Sequence, residues 1–259
     1  MSLGRKKNID NALWVETMNN IESIITPQEI TDLEAETVEK IRKTTAGQNV
    51  AYAWSGGKDS IALGRLCEMA GIDRCLFAHT QLEYPEFLGW CLSHLPAGCE
   101  VISQNIGLKW LSEHPGMLFP QDCRTTYRWY QIVQQAAIRT YFREHGLQMI
   151  LVGHRTADGN YTGKDGISRN GAGVVRYAPI ADWSHEQVLA YIHYRDLAMP
   201  PIYGWENGYK CGTHCWPSRT HTKSIMDGFR QVYAIDPSIV KEAAEYLPDA
   251  QAFLEEVSA

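Results

Sequence analysis

Short apolar runs alternate with amphipathic stretches through the middle of the chain. Residues 50–54 (Val-Ala-Tyr-Ala-Trp) are apolar and too few for a helix, so they predict a buried strand. Residues 61–70 follow with helical character and end at Gly71. Residues 75–79 predict a second strand, and 84–95 a helix opened by Pro85 and Glu86. Residues 100–103 predict a third strand, 126–144 a long helix stopped by Gly146, and 148–153 a fourth strand. A further helix spans 183–195, with Ser184 as its N-cap. Strands alternating with helices predict an α/β fold, a doubly wound parallel sheet covered on both faces. Ligands of such sheets bind beyond the carboxyl ends of the strands. The segments that follow the first and fourth strands, at 55–60 and 153–155, are therefore expected to face one cleft.

The flanks read differently. Residues 9–46 are polar and helical, and Thr26-Pro27-Gln28-Glu29 is a strong helix start, with Thr as cap, Pro at the first position and Glu at the third. Residues 154–175 are rich in Gly, Asp and Asn and predict a long loop, of a kind usually either functional or disordered. Residues 196–222 hold Pro200, Pro201, Gly204, Gly208 and Gly212 and predict irregular chain. Residues 223–257 are helical with a break at Asp236-Pro237. The pattern divides the chain into a helical N-terminal arm at 1–46, a core domain at 47–222 and a helical C-terminal extension at 223–259.

Composition adds limits. The chain has 259 residues, 44% hydrophobic and 21% charged, enough for one large core. A net charge of −6 argues against a surface that coats nucleic acid generally. The basic N-terminus has no apolar stretch behind it, and no apolar run is long enough to span a bilayer. Seven cysteines, an odd number, predict reduced thiols and a cytoplasmic protein.

The chemistry concentrates at Ser55-Gly56-Gly57-Lys58-Asp59-Ser60. A strand running into a Gly-rich turn that opens a helix is an anion site, because backbone N–H groups and the helix dipole face the ligand together. Lys58 adds a full charge, and Ser55 and Ser60 add hydroxyls. The natural ligand is a phosphate chain. The turn is not a Walker A loop: Tyr52 stands where that motif needs Gly, and Asp59 where it needs Ser or Thr.

This hexapeptide resembles the PP-loop of the N-type ATP pyrophosphatases, most of all the branch holding phosphoadenosine phosphosulfate (PAPS) reductases and the small subunit of ATP sulfurylase. Further segments resemble that branch in order. Residues 79–86 (His-Thr-Gln-Leu-Glu-Tyr-Pro-Glu) resemble its Asp-Thr-Gly and aromatic-Pro-Glu signature, with His79 and Gln81 in place of Asp and Gly. Gly153-His154-Arg155 resembles its Gly-x-Arg loop, and Pro179-Ile180-Ala181-Asp182-Trp183 its Pro-Leu-x-Asp-Trp. Pro201-Ile202-Tyr203 and Gly208-Tyr209 resemble the stretch that follows. The resemblance covers roughly residues 48–220. It implies a sheet of the adenine nucleotide alpha-hydrolase type and makes 47–222 a PP-loop nucleotide-binding domain.

The resemblance implies an adenine nucleotide, ATP or the sulfonucleotides PAPS and APS, held with Mg²⁺ by Ser55, Gly56, Gly57, Lys58, Asp59 and Ser60. Arg155 and Arg169 are anion contacts or solvated loop arginines, and Arg suits forked recognition of phosphate or sulfate. Asp59 is a Mg²⁺ ligand or a carboxylate placed at a helix start. Lys58, Asp59 and Arg155 are the expected catalytic residues. Cys123, Cys211 and Cys215 lie where iron–sulfur relatives place cysteines. Three thiolates with His214 or His221 would suit an iron–sulfur cluster or Zn²⁺, and plain structural thiols are the alternative. Ser218 stands where the second thiol of a Cys-x-x-Cys would fall.

The leading expectation is an enzyme that cleaves ATP between the α- and β-phosphates and adenylylates an acceptor. One alternative is a PAPS or APS reductase, although no Cys follows Cys215 in the sequence. Others are a non-catalytic nucleotide-binding subunit with a protein partner, or an enzyme of sulfur transfer to tRNA or DNA. A homo-oligomer is also compatible, and a membrane role is not expected.

Overall fold

The computed structural model describes residues 3, 9–206, 208–216 and 222–259, the side chain of Cys211 excepted. Six strands form one sheet: β1 (Val50–Ala53), β2 (Cys75–His79), β3 (Cys99–Ser103), β4 (Met149–Leu151), β5 (Ile167–Arg169) and β6 (Val175–Tyr177). Their spatial order is β3-β2-β1-β4-β6-β5. β1 pairs in parallel with β2 and β4, and β4 in parallel with β6. β5 runs antiparallel to β6 at the edge. The four expected strands are present. The expected long loop at 154–175 instead holds a hairpin, because Asn170 and Gly173 close a tight turn that returns the chain alongside β5.

Alternation along β1 sends its side chains to opposite faces. Ala51, with Leu76 and Ile150 of the neighbouring strands, packs against Tyr141 and Leu147 on and after the helix Gln135–Glu144. Tyr52 faces the other way. A Cβ placed on Gly64 would lie 3.4 Å from the Tyr52 ring and 3.4 Å from Trp54, so the helix Lys58–Ala70 covers that second face. The helices Pro27–Thr45 and His185–Tyr194 pack beside it. Thr26 caps the first of these through a reciprocal hydrogen-bond pair with Glu29. Ser184 caps the second in the same way with Gln187. Trp183 Nε1 donates to Thr37 Oγ1, and the Arg195 guanidinium pairs with Glu34 at 2.8 Å, which ties these two helices together.

The chain divides into two compact units. One comprises Met1–Ala78, Gly89–Ile102 and Ile138–Lys210, and the other His79–Leu88, Ser103–Ala137 and Cys211–Ala259. The second unit has its own core, in which Phe119, Trp216 and Phe229 meet edge to face. Its helix Cys123–Trp129 runs into a π-helical turn, Tyr130–Gln134, where an uninterrupted helix was expected. Among the described residues no helix is long and apolar enough to cross a membrane.

Ile150 is fully buried at the centre of the sheet, whereas Val101 on β3 is 40% exposed. Truncating Ile150 to Ala should cost about 2–5 kcal/mol, and Val101→Ala about 0.5 or less. Urea unfolding of the two variants beside the wild type checks this contrast.

Candidate functional site

The turn after β1 is the segment expected to cradle an anion, and it is tight and hydrogen-bonded within itself. Gly56 has φ +70, a left-handed conformation that costs glycine nothing. Gly57 is the N-cap of the helix Lys58–Ala70 and brings no side chain to that position. Ser60 Oγ staples the turn. It accepts from the Ser55 N–H at 3.0 Å and from the Ser55 hydroxyl at 3.1 Å, and it donates to the Gly57 carbonyl at 2.9 Å. The Lys58 N–H donates to Tyr203 Oη at 3.0 Å.

Lys58 turns inward. Its side chain is only 7% exposed, and Nζ lies 2.8 Å from each oxygen of Asp59. Burial pushes its pKa down, while the Asp59 carboxylate works against that shift. Asp59 also lies 2.7 Å from Arg155 Nε, a charge contact rather than an aligned hydrogen bond.

Arg155 comes from the segment that follows β4 and is fully buried. Its Nη2 lies 3.0 Å from Asp158 Oδ2, and its Nη1 donates to the Trp183 carbonyl at 3.2 Å. Its Nη2 is also 3.0 Å from His185 Nδ1. A guanidinium has only donors, so Nδ1 accepts and the His185 proton sits on Nε2. That Nε2 is 3.9 Å from Asp158 Oδ1, beyond hydrogen-bond reach. Burial first, then the nearby Lys58 and Arg155 charges, push the His185 pKa down to about 4. The imidazole is therefore neutral near pH 7. Two cations and two carboxylates then leave the cluster with no net charge.

Gly153 permits this meeting of strand end and helix start. A Cβ there would lie 3.0–3.1 Å from the backbone of Asp59 and Ser60. That is tighter than a side chain accepts without displacement.

The structure thus gathers Ser55, Gly56, Gly57, Lys58, Asp59, Ser60 and Arg155 at the carboxyl end of β1 and β4. Arg155 stands there as an internal ion-pair hub rather than an exposed fork. Arg169 does not join them. It ends β5, is exposed, and pairs with Val175, the first residue of β6. Because β6 runs parallel to β4, Val175 marks the opposite end of the sheet from the cradle. The reversal of the chain into an antiparallel hairpin puts Arg169 there.

The thiols expected as metal ligands belong to the other unit. Cys123 is exposed and Cys215 is buried. The side chain of Cys211 lies outside the described residues, as do Ser218 and His221. His214 has protein partners at both nitrogens, Thr213 Oγ1 at 3.0 Å and Glu83 Oε1 at 3.2 Å. Among the described residues no three His, Cys, Asp or Glu side chains form a metal-ligand set. Mg²⁺ needs oxygen donors in near-octahedral array. Asp59 and Asp158 do not fit a preformed Mg²⁺ site, since Arg155 holds both and Lys58 also holds Asp59.

Tyr203 had one signal, its place in the Pro201-Ile202-Tyr203 segment that resembles the family, but no role follows from it, and nothing in the sequence pattern singles out His185. Asp158 had one signal, its position three residues after Arg155 in a loop already marked as anionic-ligand chemistry. His185 follows a capping Ser at the first helical position, a place with no chemical signature of its own.

Two outcomes test this network. Arg155→Ala would strand two carboxylates that keep only partial contact with water, and should destabilise the fold by about 3 kcal/mol in urea unfolding. The second concerns pH. The folded chain resists protonating His185, so the unfolded chain takes the proton first as pH falls below 6.5. The contribution of His185 is complete above about pH 6.5 and is lost as pH falls toward 4. His154 is also pushed down to about 4, chiefly by burial, and titrates in the same window. The stability difference between wild type and His185→Gln should therefore shrink from pH 7 to pH 4, measured by unfolding at each pH.

The family model described as phosphoadenosine phosphosulfate reductase domain matches residues 49–232. No curated protein sequence matches the chain. Among solved structures, the phosphoadenylyl-sulfate (PAPS) reductase from Candida auris, a phosphate complex, is 13% identical with a TM-score of 0.51. The match covers 70% of this chain and 92% of that one, and it shows a shared fold. The NMN synthetase from Francisella tularensis is also 13% identical, with a TM-score of 0.47, covering 65% of this chain and 71% of that one.

Proposed function

The chain belongs to the phosphoadenosine phosphosulfate reductase domain family, with a fold of the PP-loop adenine nucleotide alpha-hydrolase type, and on that premise we propose that it binds ATP and cleaves it between the α- and β-phosphates to adenylylate an acceptor. One observation carries this reading. The stapled turn after β1 presents a helix N-terminus beside Lys58, whose charge is balanced by Asp59, itself held by the Arg155 network behind it. A phosphate chain arriving at the turn competes with Asp59 for Lys58. Backbone N–H groups and Lys58 then stabilise the departing pyrophosphate. Arg155 acts through Asp59, holding the carboxylate in place as Lys58 changes partner. Catalysis by this site is positioning and charge neutralisation, with no covalent intermediate on the protein. Any divalent cation is carried in on the phosphates.

Sulfonucleotide reduction is less favoured because it needs an accessible thiolate. In the unit that bears the turn, Cys67, Cys75 and Cys91 are buried. Cys99 opens β3 with its sulfur 2.7 Å from that of Cys75. Burial pushes the Cys67 thiol well up.

The test is calorimetric titration of ATP, PAPS and APS, each with Mg²⁺, into wild type and Lys58→Ala. The expected result is ATP binding that weakens at least about tenfold in Lys58→Ala, as loss of a charged phosphate contact implies. Selective binding of PAPS or APS would overturn the ATP reading in favour of a reductase. Binding of none would overturn nucleotide recognition by this chain alone.

A further inference from the structure

The cradle carries fewer available donors than its sequence advertises. Ser60 Oγ takes both the N–H and the hydroxyl of Ser55 and gives its own proton to Gly57, so neither serine proton is left for a ligand. The Lys58 N–H, which an anion at a helix start would ordinarily take, goes to Tyr203 Oη at 3.0 Å. A phenol that accepts a hydrogen bond still has one proton to give. The contact with the Lys58 N–H does not use the Tyr203 proton. A Cβ built on Gly57 would lie 3.5 Å from Tyr203 Oη and 3.6 Å from Ser55 Oγ. The phenol oxygen therefore lies in contact range of the Gly57 N-cap, at the N-terminus of the helix Lys58–Ala70.

The ring is held in place from behind. Tyr203 lies in the 3₁₀ turn Pro201–Gly204 and stacks on Trp14 at 6.0 Å between ring centres. Trp14 belongs to the N-terminal helix Asn11–Asn19, is buried, and stacks in turn on Tyr209 at 5.0 Å. The Tyr209 hydroxyl donates to the Ile9 carbonyl, which pins the start of that helix to the column. Three aromatic rings thus run from the N-terminal segment to the amide of Lys58.

We propose that Tyr203 is an anion-binding residue of the cradle, accepting the Lys58 N–H and donating its own proton to a phosphate oxygen of the bound nucleotide, with Trp14 as its positioning residue. The proposal rests on the nucleotide-binding reading above and adds a ligand contact to it. A hydroxyl that already accepts a hydrogen bond is polarised toward being a better donor. Burial, with the Asp59 charge nearby, pushes the Tyr203 pKa up, so the proton stays on the phenol across the neutral range. A neutral donor suits this position, because it adds direction toward a phosphate oxygen without adding charge to a balanced cluster.

The test uses the full chain and ATP with Mg²⁺ as the probe, read by calorimetry, with the melting temperature of each ligand-free protein measured alongside. Tyr203→Phe keeps the ring and the stack and removes only the hydroxyl. Its affinity for ATP should fall about tenfold or more, the usual effect of losing a hydrogen bond to a charged group. A merely structural tyrosine would lower the melting temperature and leave the affinity of the folded protein unchanged. Trp14→Leu, which keeps the phenol but frees the ring, should weaken ATP by about threefold or more, and it serves if Tyr203→Phe does not fold. Unchanged or tighter ATP binding in Tyr203→Phe, or in Trp14→Leu where that variant stands in, overturns the proposal. If Lys58→Ala loses ATP while Tyr203→Phe retains it, the nucleotide reading stands and this contact alone fails. If the wild type binds no ATP, both fail together.

Discussion

A guanidinium taken out of water has to be matched by acceptors on every side, and Arg155 is taken out of water completely. Its demand organises the surrounding chain. Asp59 comes from the start of one helix, Asp158 from the loop after β4, and His185 and the Trp183 carbonyl from the start of another helix. These partners come from three segments, so one side chain registers the cradle, the strand end and the covering helix against each other. Removing it would leave carboxylates facing one another rather than a simple gap.

That arrangement also sets the electrical state of the cradle. Lys58 is buried on Asp59, His185 is held neutral, and the four formal charges cancel. A cradle that is already neutral does not attract anions over long distances as an exposed basic patch would. On the function proposed above, recognition is a short-range exchange: a phosphate would replace Asp59 at Lys58 while Arg155 keeps the displaced carboxylate. Buried exchange of this kind favours a ligand with the right shape and charge over a simple counter-ion, because every partner is fixed before the ligand arrives.

The helices outside the sheet share in this. The N-terminal segment does not stand apart from the sheet unit: Leu3 N–H donates to the Glu186 carboxylate beside His185, and Trp14 backs Tyr203. The second unit is organised by a different pair, Glu83 and His214. Burial alone would raise the Glu83 pKa, but its hydrogen bonds to His214 and to Thr80 hold it at about 2. That imidazole is occupied by protein partners at both nitrogens, Thr213 and Glu83.

Local chemistry was readable in the chain. The Ser55-to-Ser60 turn, the caps at Thr26 and Ser184, and the strands at 50, 75, 99 and 149 each depend on residues within a few positions of one another, so composition and spacing suffice to specify them. The hairpin of β5 and β6 was less legible, because its three-residue strands are too short to show a period and are dominated by Gly and Asn turns. What only the tertiary structure decided was which loop arginine meets the cradle. Arg155 has the Gly-x-Arg resemblance and Arg169 only its Gly-rich surroundings, and neither feature fixes the position of the side chain. The direction of β5 sends Arg169 to the far end of the sheet, while the close approach at Gly153 brings Arg155 under the helix start. The roles of Tyr203 and His185 were not readable for the same reason, although Tyr203 lies in a segment that resembles the family. Their chemistry comes from partners 145 and 30 residues away, and a contact across that distance depends on the folded path rather than on the residues beside it.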